Sequence, residues 1–131
     1  MKKLHTVLAA AAIAAAPAVV APTTAHADVV PTYVRLNLQV TDAAGHSTYG
    51  SLRCNPAGGF HKDPAAACSE LIKVNGEPQH LFVHPEVMCT RDYRPVTARM
   101  TGYWGDRMVS YTKTFGNACN MWAATGPVFA I

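Results

Sequence analysis

No C-x-x-C pair, no G-x-S-x-G and no H-E-x-x-H occurs in the 131 residues. Each absence removes a class of chemistry: a zinc ribbon or dithiol redox centre, a nucleophile-elbow hydrolase, a zincin protease. Internal repeats are missing too, and the only low-complexity tract lies at the N-terminus. Charge is scarce at 15%, and Lys2 and Lys3 supply most of the net +3. Without them the chain is nearly neutral, so nothing marks nucleic acid or an anionic membrane as its partner. The one long apolar run, Leu8 to Val20, is broken by Pro17 and is too short to serve as a membrane anchor. With the two lysines before it and the small-x-small signal Ala25-His26-Ala27 after it, it reads as a secretory signal peptide over Met1 to Ala27. The expected mature chain is Asp28–Ile131, about 100 residues, one small secreted domain whose core benefits from covalent staples.

Four cysteines, Cys54, Cys68, Cys89 and Cys119, all fall in the exported part, where disulfides persist. They allow three pairings. Pairing Cys54 with Cys68 and Cys89 with Cys119 is favoured because each bond closes a local loop, of roughly 15 and 31 residues, worth about 3–4 kcal/mol apiece in chain entropy. A metal site built from cysteines and His46, His61, His80 and His84 is disfavoured by export and by the ligand spacing, so no metal or cofactor is expected. His80 and His84 are four apart, but Pro85 argues against a helix that would align them. His46 or His61 could act as a base, yet neither has an evident nucleophile and carboxylate around it. The chain is read as a non-enzyme.

Local patterns place the elements. In Tyr33–Val40, Val34, Leu36, Leu38 and Val40 alternate with Arg35, Asn37 and Gln39, the period of a half-buried strand. Asp42-Ala43-Ala44-Gly45 turns the chain into a weaker strand around Tyr49–Cys54. Asp63-Pro64 opens a helix, an Asp cap with proline at the first helical position. Ala67, Cys68, Leu71 and Ile72 share its inner face, and Asn75-Gly76 ends it. Glu77 to Glu86, with two prolines, reads as a loop. Val96–Trp104 and Arg107–Phe115 form a hairpin around Gly105-Asp106. Asn117 caps a short second helix that Gly126 ends, and Val128–Ile131 reads as a last strand. The sum is an α+β domain with a mainly antiparallel sheet.

The stretch Val87-Met88-Cys89-Thr90-Arg91-Asp92-Tyr93-Arg94-Pro95-Val96 has no hydrophobic period. An oxidised Cys89 pins one end, and Pro95 holds Arg94 extended at the other. Thr90–Tyr93 is then an exposed, stiff, extended tetrapeptide with one long cation, the form in which a trypsin-like protease accepts a substrate.

Taken in order, these residues resemble the streptomycete subtilisin inhibitors, a family of secreted serine protease inhibitors, over nearly the whole mature chain. The carriers are Gly58…His61-x-x-Pro64-Ala65-Ala66-Ala67-Cys68 with Leu71 and Gly76, then Val87-Met88-Cys89 and Tyr93-x-Pro95-Val96. Gly102-x-Trp104-x-x-x-Met108-Val109-Ser110-Tyr111, Phe115-x-Asn117-x-Cys119-x-Met121 and Val128-Phe129-Ala130 follow. The resemblance implies a five-stranded antiparallel sheet with two short helices, the two disulfides named above and a homodimer. It also implies a bait bond two residues after the third cysteine, Arg91-Asp92, with Met88, Thr90 and Tyr93 as flanking contacts to trypsin-like and subtilisin-like proteases. Three positions depart from the family pattern. Thr90 stands where proline is frequent, Asp92 where an uncharged residue is usual, and Arg94 where an acidic one is common. The alternative to inhibition is a binding protein or a protease substrate built on the same frame.

Overall fold

The structure, a computed structural model, describes residues 10–20 and 29–131. The expected cleavage signal at Ala25-His26-Ala27 lies outside the described residues, and residues 10–20 carry no regular secondary structure.

Strand β1, Val34–Thr41, buries Val34, Leu36 and Leu38 and turns Arg35 and Asn37 outward, as its alternation requires. It is a central strand. β2, Ser47–Arg53, pairs with it on one side and β3, Val96–Trp104, on the other. β4, Arg107–Phe115, pairs with β3, so the order is β2-β1-β3-β4 and every pairing is antiparallel. The β1–β2 turn is organised by Asp42, whose Oδ1 accepts the backbone N–H of Ala44 and of His46, both at 2.9 Å. These bonds hold the Asp42 carboxyl below the ordinary carboxylate range, the N–H of His46 contributing most.

Helix α1, Pro64–Lys73, starts as the sequence indicates: Asp63 Oδ1 accepts from Ala66 N at 3.1 Å and proline occupies the first turn. It ends at Asn75 and Gly76, both at positive φ. Gly76 is needed twice over, because at φ +68° a Cβ would also run into the buried Trp104 ring. Ala67, Cys68 and Leu71 of α1 share one core with Leu52, Ala98 and Met100 of the sheet, all at most 4% exposed. Burying each larger aliphatic side chain contributes about 1.5–3 kcal/mol. Helix α2, Ala118–Thr125, is capped by Asn117, whose Oδ1 accepts from Asn120 N at 2.9 Å. A 3-10 turn, Pro78–His80, interrupts the expected loop after α1.

One expectation is corrected. The sheet has four strands, where five were expected, because Val128–Ile131 is no strand. Gly126, at φ +53°, and Pro127 bend the chain into a 3-10 turn, Gly126–Phe129, which packs against α1. That turn carries Val128 and Phe129 into the core, at 0% and 3% exposure. His61 secures it, accepting the N–H of Asp63 at Nδ1 (3.0 Å) and donating from Nε2 to the Val128 carbonyl (3.0 Å). A short, wholly apolar run has no period to distinguish strand from buried turn, so packing decides.

Helices and 3-10 turns cover one face of the sheet. The other face presents rows of polar side chains, among them Asn37, Gln39, Thr97, Thr101, Thr112 and Thr114.

Candidate functional site: a pinned, exposed loop

Between the Pro78–His80 turn and β3 the chain forms no helix or strand, and Thr90 to Arg94 are exposed throughout. Irregular backbone of this kind holds one shape only if it is tied at several points, and here five ties are present. Upstream, the N–H groups of Val83 and His84 donate to the carbonyls of Ala124 and Ala123 at 3.1 and 2.8 Å, fastening the approach to the end of α2. The His84 ring stacks on Trp122, with centroids 4.3 Å apart. Cys89 is bonded to Cys119 in the first turn of α2, with Cα atoms 5.7 Å apart. Downstream, Arg94 N donates to the Gly116 carbonyl at 2.8 Å, and β3 begins at Val96, opposite Phe115.

The fifth tie lies at the centre. Asn117 Nδ2 donates to the carbonyl of Thr90 at 2.9 Å and to that of Asp92 at 3.0 Å. The two acceptors flank Arg91, so one amide group spans the Arg91-Asp92 bond. Asn117 is itself 8% exposed and fixed by its capping bond to Asn120. The sequence marks it as a helix cap, which it is, but not as the support of the loop. Its oxygen serves the helix and its nitrogen the loop, and only the fold brings residues 25 and 27 apart in sequence to the same amide.

The expected site residues therefore lie together on one exposed segment. Met88 is 96% exposed and Tyr93 78%, large apolar surfaces left open to solvent beside Thr90, Arg91 and Asp92. No ion pair involves Arg91, Asp92 or Arg94 among the described residues. Beneath the segment is a cavity of about 450 Å³, lined by Thr90, Asp92, Arg94 and Asn117 and, across from them, by Asp42–Ala44 at the β1–β2 turn. Both favoured disulfides are present: Cys54–Cys68 and Cys89–Cys119. His80 and His84 have separate partners, Glu77 at 2.8 Å and the Trp122 ring. No group of three or more His, Cys, Asp or Glu residues that could hold a metal exists among the described residues.

Comparison with known proteins bears on the family and the fold. The sequence model of the subtilisin inhibitor-like family matches residues 30–117, from just before β1 to the asparagine beneath the loop. The chain is 44% identical over 80 residues to a subtilase-type protease inhibitor of Streptomyces coelicolor, covering 60% of this chain and 56% of that protein. It thus spans little more than half the length of that relative. It is 40% identical over 83 residues to subtilisin inhibitor-like protein 1 of Streptomyces cacaoi, covering 61% and 76% respectively. Among solved structures, Streptomyces caespitosus sermetstatin in complex with Bacillus licheniformis subtilisin is similar, with a TM-score of 0.61 and 31% identity over 74% of this chain and 97% of that one. The chain belongs to the subtilisin inhibitor-like family, whose members are protease inhibitors and not enzymes.

Proposed function

We propose that the protein is a secreted serine protease inhibitor whose bait is the Arg91-Asp92 bond. The observation that carries the reading is the Asn117 amide bound to both Thr90 and Asp92. A protease serine adds to the Arg91 carbonyl, and its oxyanion hole stabilises the tetrahedral intermediate. Collapse gives an acyl-enzyme through Arg91 and a new amine on Asp92. From an ordinary substrate that amine diffuses away. Here the acyl side is held by Cys89–Cys119 and by the Thr90 carbonyl on Asn117. The amine side is held by the Asp92 carbonyl on the same asparagine and by Arg94 on Gly116. The amine therefore stays at high effective concentration, re-forms the peptide bond and releases the serine. A loop already in its bound shape also avoids most of the ordering cost of association.

Arg91 sets the preference. An exposed Arg91–Asp92 pair would be worth only about 0–1 kcal/mol, and the two residues form none here. An arginine desolvated against a pocket carboxylate is a hot spot of about 2 kcal/mol or more. Trypsin-like enzymes are therefore bound more tightly than subtilisin-like ones, with Met88 and Thr90 filling pockets before the bond and Tyr93 contacting the enzyme beyond it. Titration of trypsin and subtilisin with the mature protein tests this reading. The expected result is stoichiometric inhibition of trypsin, with any nick confined to Arg91-Asp92; general degradation would make the protein a substrate. Arg91→Met should weaken trypsin inhibition at least about tenfold, ~1.4 kcal/mol, and spare or improve subtilisin inhibition. Asp92→Val should change less. Unchanged trypsin inhibition in Arg91→Met would place the bait bond elsewhere.

The family resemblance and the uncovered sheet face together support a homodimer through that face. Its polar rows, with the exposed Tyr49, Tyr103 and Met108 among them, imply an interface that combines hydrogen bonds, direct or through water, with apolar contact. Sedimentation at micromolar concentration is expected to give a dimer; a monomer would remove this assembly.

A further inference from the structure

Trp122 belongs neither to the core, nor to the open face of the sheet, nor to the loop. Tyr49 and Tyr103 lie on that sheet face, and Tyr93 is part of the loop. Trp122, 46% exposed, stands instead on α2, beside the exposed Ala118 and Cys119. The helix around it differs from an ordinary solvated one. An outward helix face usually carries charge, as α1 does with Glu70 and Lys73, paired at 2.9 Å. The eight residues of α2 include no charged one. An exposed apolar surface from which charge is missing has the composition of the centre of a protein–protein contact.

The indole is held in place. The His84 ring stacks on it, with centroids 4.3 Å apart and planes inclined by 24°. His84 is itself fixed by its N–H, which donates to the Ala123 carbonyl at 2.8 Å. One face of Trp122 is thus covered by the protein, and the rest of its surface meets a partner with little rotamer freedom left to lose. The side chain is also close to the loop. Cys119 and Trp122 are one turn apart and share a face of α2. Cys119 is bonded to Cys89, the neighbour of the 96% exposed Met88. From Arg91 the path covers two residues to Cys89, 5.7 Å between the bonded Cα atoms and one helical turn, so the Cα atoms of Arg91 and Trp122 lie within roughly 20 Å.

We infer that the exposed face of α2, with Trp122 at its centre, extends the surface of the loop, and that the protease that takes Arg91 rests on it. The inference presupposes the Arg91-Asp92 bait bond and adds a second anchor to it. An interface of ordinary size buries about 800 Å² on each partner, a patch roughly 30 Å across. Centred on the bond, such a patch reaches Met88, the Cys89–Cys119 bridge and the Trp122 ring. Tryptophan is among the side chains most enriched where a few residues carry the affinity. The occupant is the loop's own protease because a partner of that size seated on Arg91 reaches this face, and the bridge makes the two surfaces continuous. What α2 offers the enzyme is an apolar ring without charge, so the matching surface is an apolar rim beside the pockets that precede the bond. Glu86, 70% exposed and 3.5 Å from the His84 ring, lies at the margin, where a charge stays in water.

Hydroxyl-radical footprinting of the mature protein, free and bound to trypsin whose serine nucleophile is replaced by alanine, tests the contact. Met88 and Trp122 are both expected to be oxidised in the free protein and protected in the complex. Phe60, 77% exposed beside the edge of β2, should react equally in both. Protection of Met88 with Trp122 as reactive as before overturns the inference and leaves the reading of the loop intact. Protection of neither refutes the reading of the loop, and this inference with it. Substitution then separates contact from support. Trp122→Ala should weaken inhibition of active trypsin by at least about tenfold, without faster cleavage at Arg91-Asp92. Trp122→Phe keeps a ring against His84 and should recover part of the affinity; it also serves if the alanine variant fails to fold. Affinity unchanged in Trp122→Ala, or lost only together with faster cleavage, would make Trp122 a support of the loop alone and overturn the contact.

Discussion

Cys54–Cys68 joins the residue after β2 to the middle of α1, and both its cysteines are buried, at 3% and 4% exposure. Cys89–Cys119 joins an exposed segment without secondary structure to the start of α2. Around the first bond, Leu52, Ala67 and Leu71 are fully buried, so hydrophobic contacts would hold the elements near one another even without it. Around the second, Met88 and Thr90–Arg94 bury nothing substantial, so the segment relies on the disulfide, on hydrogen bonds and on the His84–Trp122 stack upstream. Where an apolar core exists, a disulfide adds stability to a shape already chosen. Where there is none, the shape itself depends on it.

Breaking each bond separately is the strongest test of that contrast. Cys89→Ser/Cys119→Ser is expected to turn the inhibitor into a substrate, with trypsin digesting it at Arg91-Asp92 and the rest of the fold largely retained. Cys54→Ala/Cys68→Ala should lower unfolding stability by about 3 kcal/mol in denaturant titrations and leave inhibition intact below the lowered midpoint. Trypsin inhibition that persisted without Cys89–Cys119 would erase the distinction between the two regions.

Asn117 allows a finer division, because its two ends serve the two kinds of structure. Asn117→Ala removes the cap of α2, about 1 kcal/mol, and both loop bonds, about 1 kcal/mol each. Asn117→Asp keeps a capping oxygen and loses both donors to Thr90 and Asp92, setting a carboxylate against two carbonyls. The aspartate variant should therefore melt closer to the parent than the alanine variant does, yet be cleaved at Arg91-Asp92 faster than the parent. Cleavage as slow as in the parent would reduce Asn117 to a helix cap.

The smallest effect is expected at Asp42, across the cavity from the loop. Its carboxyl is held below the ordinary 3.8 by the N–H groups of His46 and Ala44. A depressed folded pKa means that its contribution is fully present above the unfolded value and is lost as pH falls through the folded one. The β1–β2 turn should thus be unaffected at neutral pH and loosen only below the usual carboxylate range. An NMR titration of the Asp42 carboxyl that gave an ordinary or raised pKa would contradict the hydrogen bonds seen at the turn.

Much of the architecture is legible in the chain because it is local. The alternation of Val34, Leu36 and Leu38 with Arg35 and Asn37 needs only a strand and a core to specify which face is buried. Asp63-Pro64 begins α1 and Asn117 begins α2 because a side-chain oxygen reaches an N–H three residues ahead, whatever the rest of the protein does. Local closure likewise favours Cys54 with Cys68 and Cys89 with Cys119, and the exposed run Thr90–Arg94 follows from its lack of period.

Tertiary structure decided what depends on partners distant in sequence. Val128-Phe129-Ala130-Ile131 is apolar at every position, a pattern that suits a strand or a buried turn equally. Gly126 and the room beneath α1 settled it as a turn, and the sheet stopped at four strands. The Asn117 amide reaches Thr90 and Asp92 only because α2 packs behind the loop, and a side-chain nitrogen leaves no periodic trace in a sequence. The opposition of Arg35 to Arg53 is a matter of register between two strands. Side chains on one strand announce their face, but which residue stands across from them is decided only when the strands meet.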